Sequence, residues 1–316
     1  MRTVIYTSLA LLLLLTALTQ WRAARNEARA EAAYPPEGEF LEIDGQRIHY
    51  VMAGSGPDLV LIHGASGNTR EFTFRMRDAL SDRYRVIIFD RPGLGYSDPL
   101  DGSGSALRDQ ALLLQRAAAR LGADRPLVLG QSYGGSVALA WAVHAPEHLA
   151  GLTLVSAASN PWSTGLGTYY TVLSSWWGQR FVIPLLTAFV PPRVVDNTID
   201  EVFLPETPPE GYHDYIGAGL TLRRPAMRAN ALQRAALLDG ILAQQPHYED
   251  ITQPVEIIHG SADTTVPLSI HSEPLSRQIE GANLTILDGA GHMPHHTAMP
   301  AVIDAIDRTA ARAGLN

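Results

Sequence analysis

Apolar and polar positions divide the chain into regions of different character. From Thr3 to Trp21 there is no charge, and apolar residues dominate all round, including the run Leu11 to Leu15. A helix of these nineteen residues would rise about 28 Å, close to the roughly 30 Å hydrocarbon core of a bilayer. Trp21, Arg22 and Arg25 follow as an interfacial pattern, a ring at headgroup level with guanidinium groups beyond it. Residues 1–21 are therefore expected to form a membrane anchor, and 22–38, which hold Pro35 and Pro36, a polar tether. The alternative is a cleaved signal, with Arg2 as its basic start and Val4 to Leu18 as its apolar stretch. Its best small-x-small match, Ala30-Glu31-Ala32, lies more than ten residues beyond the apolar run. Arg22, Arg25 and Arg29 outnumber Arg2 plus the terminal amine, which favours a cytoplasmic domain, but Glu27 and Glu31 nearby leave the side open.

Beyond the tether the pattern becomes that of strands. Phe40 to Ile43 and Arg47 to Met52 flank Asp44-Gly45, a hairpin signal. Short apolar runs then recur at Asp58 to His63, Arg85 to Asp90, Pro126 to Gly130, Leu152 to Ser156, Val255 to His259 and Asn283 to Leu287. Runs of this kind read as parallel strands buried on both faces. Helical stretches lie between most of them, among them Ala106 to Leu121, Tyr133 to Val143 and Ala301 to Ala313. The alternation predicts an α/β fold over 39–316, a mostly parallel central sheet with helices on both faces. About ninety residues, Asn160 to Thr252, break the rhythm, far beyond a normal crossover. With helical patterns at Tyr169 to Val190, Asp214 to Leu222 and Pro225 to Gln244 and breaks at Pro191-Pro192 and Pro208-Pro209, they predict an inserted helical cap at about 160–252.

Composition narrows the chemistry. The 316 residues include no Cys and no Lys, so all 24 basic side chains are Arg. Thiolate nucleophiles, Cys-ligated metals, Schiff bases, phosphate-loop lysines and Ser-Lys dyads are thereby excluded. A net charge of −8 argues against nucleic acid as a partner.

Gly130-Gln131-Ser132-Tyr133-Gly134, with Gly135 beyond, sits where an apolar strand meets a helix. A turn this sharp strains its Ser and needs small flanking residues, and it presents the hydroxyl at a helix start that favours negative charge. A Ser hydroxyl needs a general base, and the base needs an orienting carboxylate. Asp263, after the strand ending at Gly260, and His292, after the strand ending at Leu287, follow in the order Ser, Asp, His. Hydrolysis through a tetrahedral oxyanion also needs two N–H donors, expected from Tyr133 and from Ala65 in the small-residue loop His63-Gly64-Ala65-Ser66-Gly67.

His63-Gly64, the stretch Asp90-Arg91-Pro92-Gly93-Leu94-Gly95-Tyr96-Ser97, the Ser132 elbow, Gly260-Ser261-Ala262-Asp263 and Gly291-His292 together resemble the α/β-hydrolase superfamily, its single-domain esterase and lipase-like branch, over roughly residues 39–314. The resemblance implies Ser132 as nucleophile, His292 as base and acid, Asp263 as orienter, an oxyanion hole at Ala65 and Tyr133, and a variable cap in the long interval. It implies a serine hydrolase acting on a small-molecule carboxylic ester, with an apolar acyl or lipid-like substrate. Thioesterase, peptidase, carbon–carbon hydrolase and cofactor-free perhydrolase chemistry stay open. The dehalogenase and epoxide-hydrolase branches, which carry Asp at the elbow, are disfavoured. No cofactor and no metal are expected. A catalytically silent binding or scaffold protein is the alternative of a different class, against which the intact triad argues.

Other residues have plainer readings. His292, His295 and His296 could suggest a metal cluster, but no carboxylate pattern accompanies them, and relatives commonly carry a carboxylate a few residues after the base where this chain has none. His63 is read as structural, Asp90 as a salt-bridge partner of Arg91, and Asp288 as the rival of Asp263. Of the cap aromatics Trp162, Tyr169, Tyr170, Trp176, Trp177 and Phe181, most are expected to pack between helices, the alternative being an acyl pocket or a lipid-facing surface.

Overall fold

The computed structural model describes residues 1–100 and 105–315. Residues 101–104 and Asn316, all within the expected 39–316 domain, lie outside the described residues. Helix α1 (Arg2–Ala33) comes first and is long and apolar enough to cross a membrane. Strands β1 (Glu39–Ile43) and β2 (Gln46–Ala53) follow as an antiparallel hairpin, with Asp44 and Gly45 both at positive φ as its two-residue turn requires. Next come β3 (Asp58–Ile62), β4 (Arg85–Phe89), helix α2 (Leu107–Arg120), β5 (Leu127–Gln131), helix α3 (Tyr133–His144) and β6 (Gly151–Val155). The cap carries α4 (Thr168–Ser174), α5 (Ile183–Phe189), α6 (Pro192–Phe203), α7 (Ala218–Thr221) and α8 (Arg224–Gln244). Strand β7 (Val255–Gly260), β8 (Asn283–Leu287) and helix α9 (Met299–Arg312) close the chain.

The eight strands form one sheet in the order β1-β2-β4-β3-β5-β6-β7-β8, parallel from β4 to β8. Alternation within each strand feeds two cores. Val60, Ile62, Ile87, Phe89 and Val128 meet α2 and α3 on one face, while Leu59, Leu61, Val86, Ile88 and Leu129 meet Phe72, Met76 and α9 on the other. Each such side chain, wholly buried, contributes about 1.5–3 kcal/mol. Because both faces are covered, β3 to β7 read as unbroken apolar runs, whereas β8, at the sheet edge, is only partly buried and shows itself by alternation, Asn283 and Thr285 between Leu284, Ile286 and Leu287.

The helices depart further from expectation. The stretch Tyr169 to Val190 is interrupted after Ser174, and Asp214 to Leu222 is split at Gly217, which adopts φ 67°. The break expected at Pro191-Pro192 is there, with Val190 and Pro191 outside the helices, and Pro192 then opens α6, since proline's missing N–H has no helical partner to lose at the first position.

The expected tether over 22–38 is corrected for residues 22–33, which continue α1. Ala23, Ala24, Ala28, Ala30, Ala32 and Ala33 are strong helix formers, and Pro35 enforces the stop. One side of this segment is docked on the cap. Arg22 Nε donates to Ala188 O at 2.7 Å and Asn26 Nδ2 to Thr187 O at 3.0 Å. Glu27 accepts the backbone N–H of Arg224 at 2.9 Å and its guanidinium at 2.8 and 2.6 Å, and Glu31 pairs with Arg223 at 2.9 Å. Burial pushes the Glu27 carboxyl up, but the Arg224 bonds outweigh it and hold the group below its ordinary value.

Candidate active site

The elbow follows from steric necessity. Ser132 takes φ 53° and ψ −118°, a region a side-chain-bearing residue enters only under constraint. A Cβ at Gly130 would collide with Gly134 O, and one at Gly134 with Ile62 O, so the backbone can pass only as glycine. The half-buried Ser132 stands between β5 and the first turn of α3, and among the described residues no group forms a hydrogen bond with its Oγ.

His292 and Asp263 meet as expected. His292 Nδ1 lies 2.7 Å from Asp263 Oδ2. With Nδ1–H donating to the carboxylate, Nε2 is left as a lone pair facing the elbow, where Gln131 Nε2 approaches to 3.5 Å. Asp263 Oδ1 accepts the N–H groups of Thr265 and Val266, each at 2.9 Å. A second histidine, His259, places Nε2 3.1 Å from Asp263 Oδ2 and its Nδ1 2.6 Å from Ser272 Oγ. Burial pushes the Asp263 carboxyl up, but hydrogen bonds from His259 and His292 and from the backbone more than offset it, leaving it well below the usual carboxylate range. Asp288, the rival, is exposed and accepts the Ser261 hydroxyl at 3.3 Å, away from His292.

The loop at His63 to Gly67 is held from two sides. Gly64 packs against the elbow, where an added Cβ would sit 3.2 Å from Ser132 Cβ. Arg91, fully buried, donates Nε to His63 O and Nη2 to Gly64 O, both at 2.9 Å. A trans peptide points its C=O and N–H in opposite directions, so tying down Gly64 O turns the Ala65 N–H away from Arg91. Among the described residues neither the Ala65 nor the Tyr133 N–H has an acceptor. From the cap, Asn230 accepts Ser66 N–H at 2.9 Å and Thr221 donates to Ser66 O at 2.7 Å. His63 has the structural place expected of it, with Nε2 accepting Arg91 N–H at 3.0 Å and Nδ1 lying 2.9 Å from Gly64 O. Burial and the Arg91 charge lower its pKa to about 4.

The expected Asp90–Arg91 salt bridge does not form. Adjacent residues leaving a strand point to opposite sides. Asp90 accepts N–H groups of Thr69 and Tyr96 and faces His49 Nδ1 at 2.6 Å, whereas Arg91 reaches Gln110 and Gln233 besides the two carbonyls. Burial lowers Arg91 to about 10, so it stays charged at neutral pH, with the Tyr133 ring 4.2 Å from its Cζ.

His295 and His296 do have a carboxylate, contrary to expectation. Glu71, more than 220 positions earlier, places Oε1 2.9 Å from His295 Nε2 and 2.6 Å from His296 Nε2, and Tyr212 donates to both of its oxygens at 3.1 Å. Only folding brings Glu71 there, so no local pattern could announce it. These three are the one group of potential metal ligands among the described residues, their ligand atoms lying within 4.8 Å of one another. The arrangement is complete as a hydrogen-bonded unit, because Glu71 is supplied by three donors. Among the described residues His295 Nδ1 is buried without a partner, where metal-binding histidines are normally oriented by one. A surface hollow of about 350 Å³ near Asp200, Pro208 and His213 contains none of the site residues.

A profile of the alpha/beta hydrolase family matches residues 59–305, most of the chain. The chain belongs to the alpha/beta hydrolase family. Among curated relatives, the dihydrolipoyllysine-residue acetyltransferase component of the acetoin cleaving system of Cupriavidus necator is 37% identical over 131 residues, 41% of this chain and 33% of that protein. Haloalkane dehalogenase 2 of Mycobacterium bovis is 35% identical over 124 residues, 38% of this chain and 42% of that protein. The chain thus spans less than half the length of these relatives. A solved esterase from a Rhodococcus species superposes with a TM-score of 0.67 at 22% identity, covering 88% of this chain and 98% of that one.

Proposed function

We propose that this alpha/beta hydrolase cleaves carboxylic esters through an acyl-enzyme on Ser132, and that α1 anchors it to a membrane. The observation that supports the first reading is the Asp263–His292 pair, 2.7 Å apart, with His292 Nε2 3.5 Å from Gln131 Nε2, the elbow residue next to the strained Ser132. His292 Nε2 takes the Ser132 proton as Oγ bonds to the ester carbonyl carbon. The carbonyl electron pair moves onto oxygen, where the Ala65 and Tyr133 N–H groups receive it. As the intermediate collapses the carbon–alkoxy bond breaks, and His292 returns its proton to the leaving alcohol. Water, deprotonated by His292, then releases the acid and restores Ser132. Asp263 stays ionised throughout and holds His292 in the required tautomer. The helical cap and the anchoring helix favour an apolar acyl or lipid-like ester.

A fluorophosphonate probe tests the nucleophile. Wild type should be labelled and Ser132→Ala should not, and a panel of esters of graded acyl length should then define the substrate. A wild type inert to both probe and esters would sink the reading in favour of a silent binding protein.

A further inference from the structure

A second apolar helical face lies unpartnered next to α1. Trp177, Phe181, Leu185 and Phe189 follow at four-residue spacing through the helical segment Gly178–Val182 and α5, and so fall close to one stripe. They are 50, 56, 48 and 44% exposed, and Trp176, at 76%, packs edge-on to Phe181. The expectation that most cap aromatics would be packed is therefore reversed here. In a water-facing cap these side chains would form the kind of contiguous apolar surface that marks an interaction site.

Three observations say what covers it. The first is continuity with α1. Arg22 and Asn26 are bonded to the carboxyl end of α5, and the Arg22 guanidinium lies 5.0 Å over the Phe189 ring. The second is length. From this dock toward its amino end α1 stands clear of the protein, with residues 2–18 exposed, about 26 Å of helix against a hydrocarbon core of roughly 30 Å. The cap surface at Phe189 is then at the level where α1 leaves the lipid. The third is charge. In a chain of net charge −8 there is no Asp or Glu between Glu147 and Asp196, while exposed Arg180 and Arg193 lie within that interval.

We propose that the stripe Trp177, Phe181, Leu185 and Phe189, with Trp176, is a membrane-docking face, seated in the headgroup–acyl boundary of the same bilayer that holds α1. The proposal rests on the anchoring reading above. Aromatic rings and arginines suit that boundary, the rings taking the apolar layer and the guanidinium groups the lipid phosphates. The cap then lies on the lipid, and the ester substrates nearest the site are amphiphiles of that layer.

The absence of cysteine allows a direct test. The full chain, as Phe181→Cys or Asp124→Cys, is nitroxide-labelled and reconstituted in phosphatidylcholine–phosphatidylglycerol vesicles, and collisional access to oxygen and to a water-soluble nickel chelate is compared. Asp124 is exposed in the loop entering β5, at the opposite end of the strands from the elbow. The label at 181 should favour oxygen over nickel several-fold, and the label at 124 should do the reverse. A chain retained on the vesicles through an alkaline carbonate wash, but with position 181 as open to nickel as 124, overturns the docking face alone. A chain removed by the wash overturns anchoring and docking together. Spin–spin broadening at 181 that disappears on dilution with unlabelled chain places a second copy on the stripe and also overturns the proposal. Fluorophosphonate labelling of the same samples reports separately on the hydrolase reading.

Discussion

If the Ala65 N–H receives the oxyanion as proposed, Arg91 acts on chemistry it does not touch. Its two bonds to the carbonyls of His63 and Gly64 fix a peptide plane, and that plane aims the Ala65 N–H. Replacing it by Gln removes both bonds and leaves the buried His63 carbonyl without its donor, at about 1–3 kcal/mol of stability. Loss of an oxyanion donor typically costs about 10²–10³-fold in kcat, and misaiming one should cost less. Arg91→Gln is expected to lower kcat about 10- to 100-fold with KM nearly unchanged. A variant with a lower melting temperature but unaltered kcat would make Arg91 purely structural. Asp263 and His292 were legible in the sequence because each follows a strand in a short glycine-containing stretch, Gly260 to Asp263 and Gly289 to His292. Arg91 and Gln131 lay inside recognised motifs, yet their partners come from other parts of the fold, and His259 lay at the end of an apolar run four residues before its partner Asp263. Glu71 had no local signal at all.

At the level of elements, helix α8 links three parts of the molecule. Its first residue, Arg224, grips Glu27 of α1, Asn230 holds Ser66 of the His63 to Gly67 loop, and Gln233 accepts from Arg91. Arg224→Ala should therefore free the lower half of α1. Amide hydrogen exchange at residues 22–33 is expected to quicken at least about tenfold, with protection in β5 and β6 unchanged; unaltered exchange at 22–33 would mean that the remaining contacts suffice. The strands β3 to β7 were legible because burial on both faces writes itself as apolar runs. The docked half of α1 was not, because a helix held by ion pairs and side-chain-to-carbonyl bonds carries the same polar composition as a solvated tether.

The whole molecule carries its pH response in buried groups. His63, His271 and His295 are each lowered from 6.5 to about 4, chiefly by burial, and so are neutral in the fold. Below pH 6.5 the unfolded chain takes up protons that these sites refuse, and stability is lost as pH falls from 6.5 toward 4. Asp263 and Glu71 are depressed, so their contribution is present above the ordinary carboxylate range and is lost only at lower pH. Thermal melts from pH 8 downward should show the melting temperature declining from about pH 6.5. A melting temperature that stays flat until the carboxylates titrate would contradict the buried neutral histidines.

With α1 in a bilayer, its attachment to the cap through Arg22, Asn26, Glu27 and Glu31 also sets the dimensionality of catalysis. A loose linker would let the domain tumble and sample the water above the membrane in all directions. A helix clamped along its exit segment holds the site at one height and one tilt, leaving translation in the plane and spin about the membrane normal. Encounters would then be counted per unit area of lipid, and diluting the substrate with inert lipid would slow turnover even at constant bulk concentration.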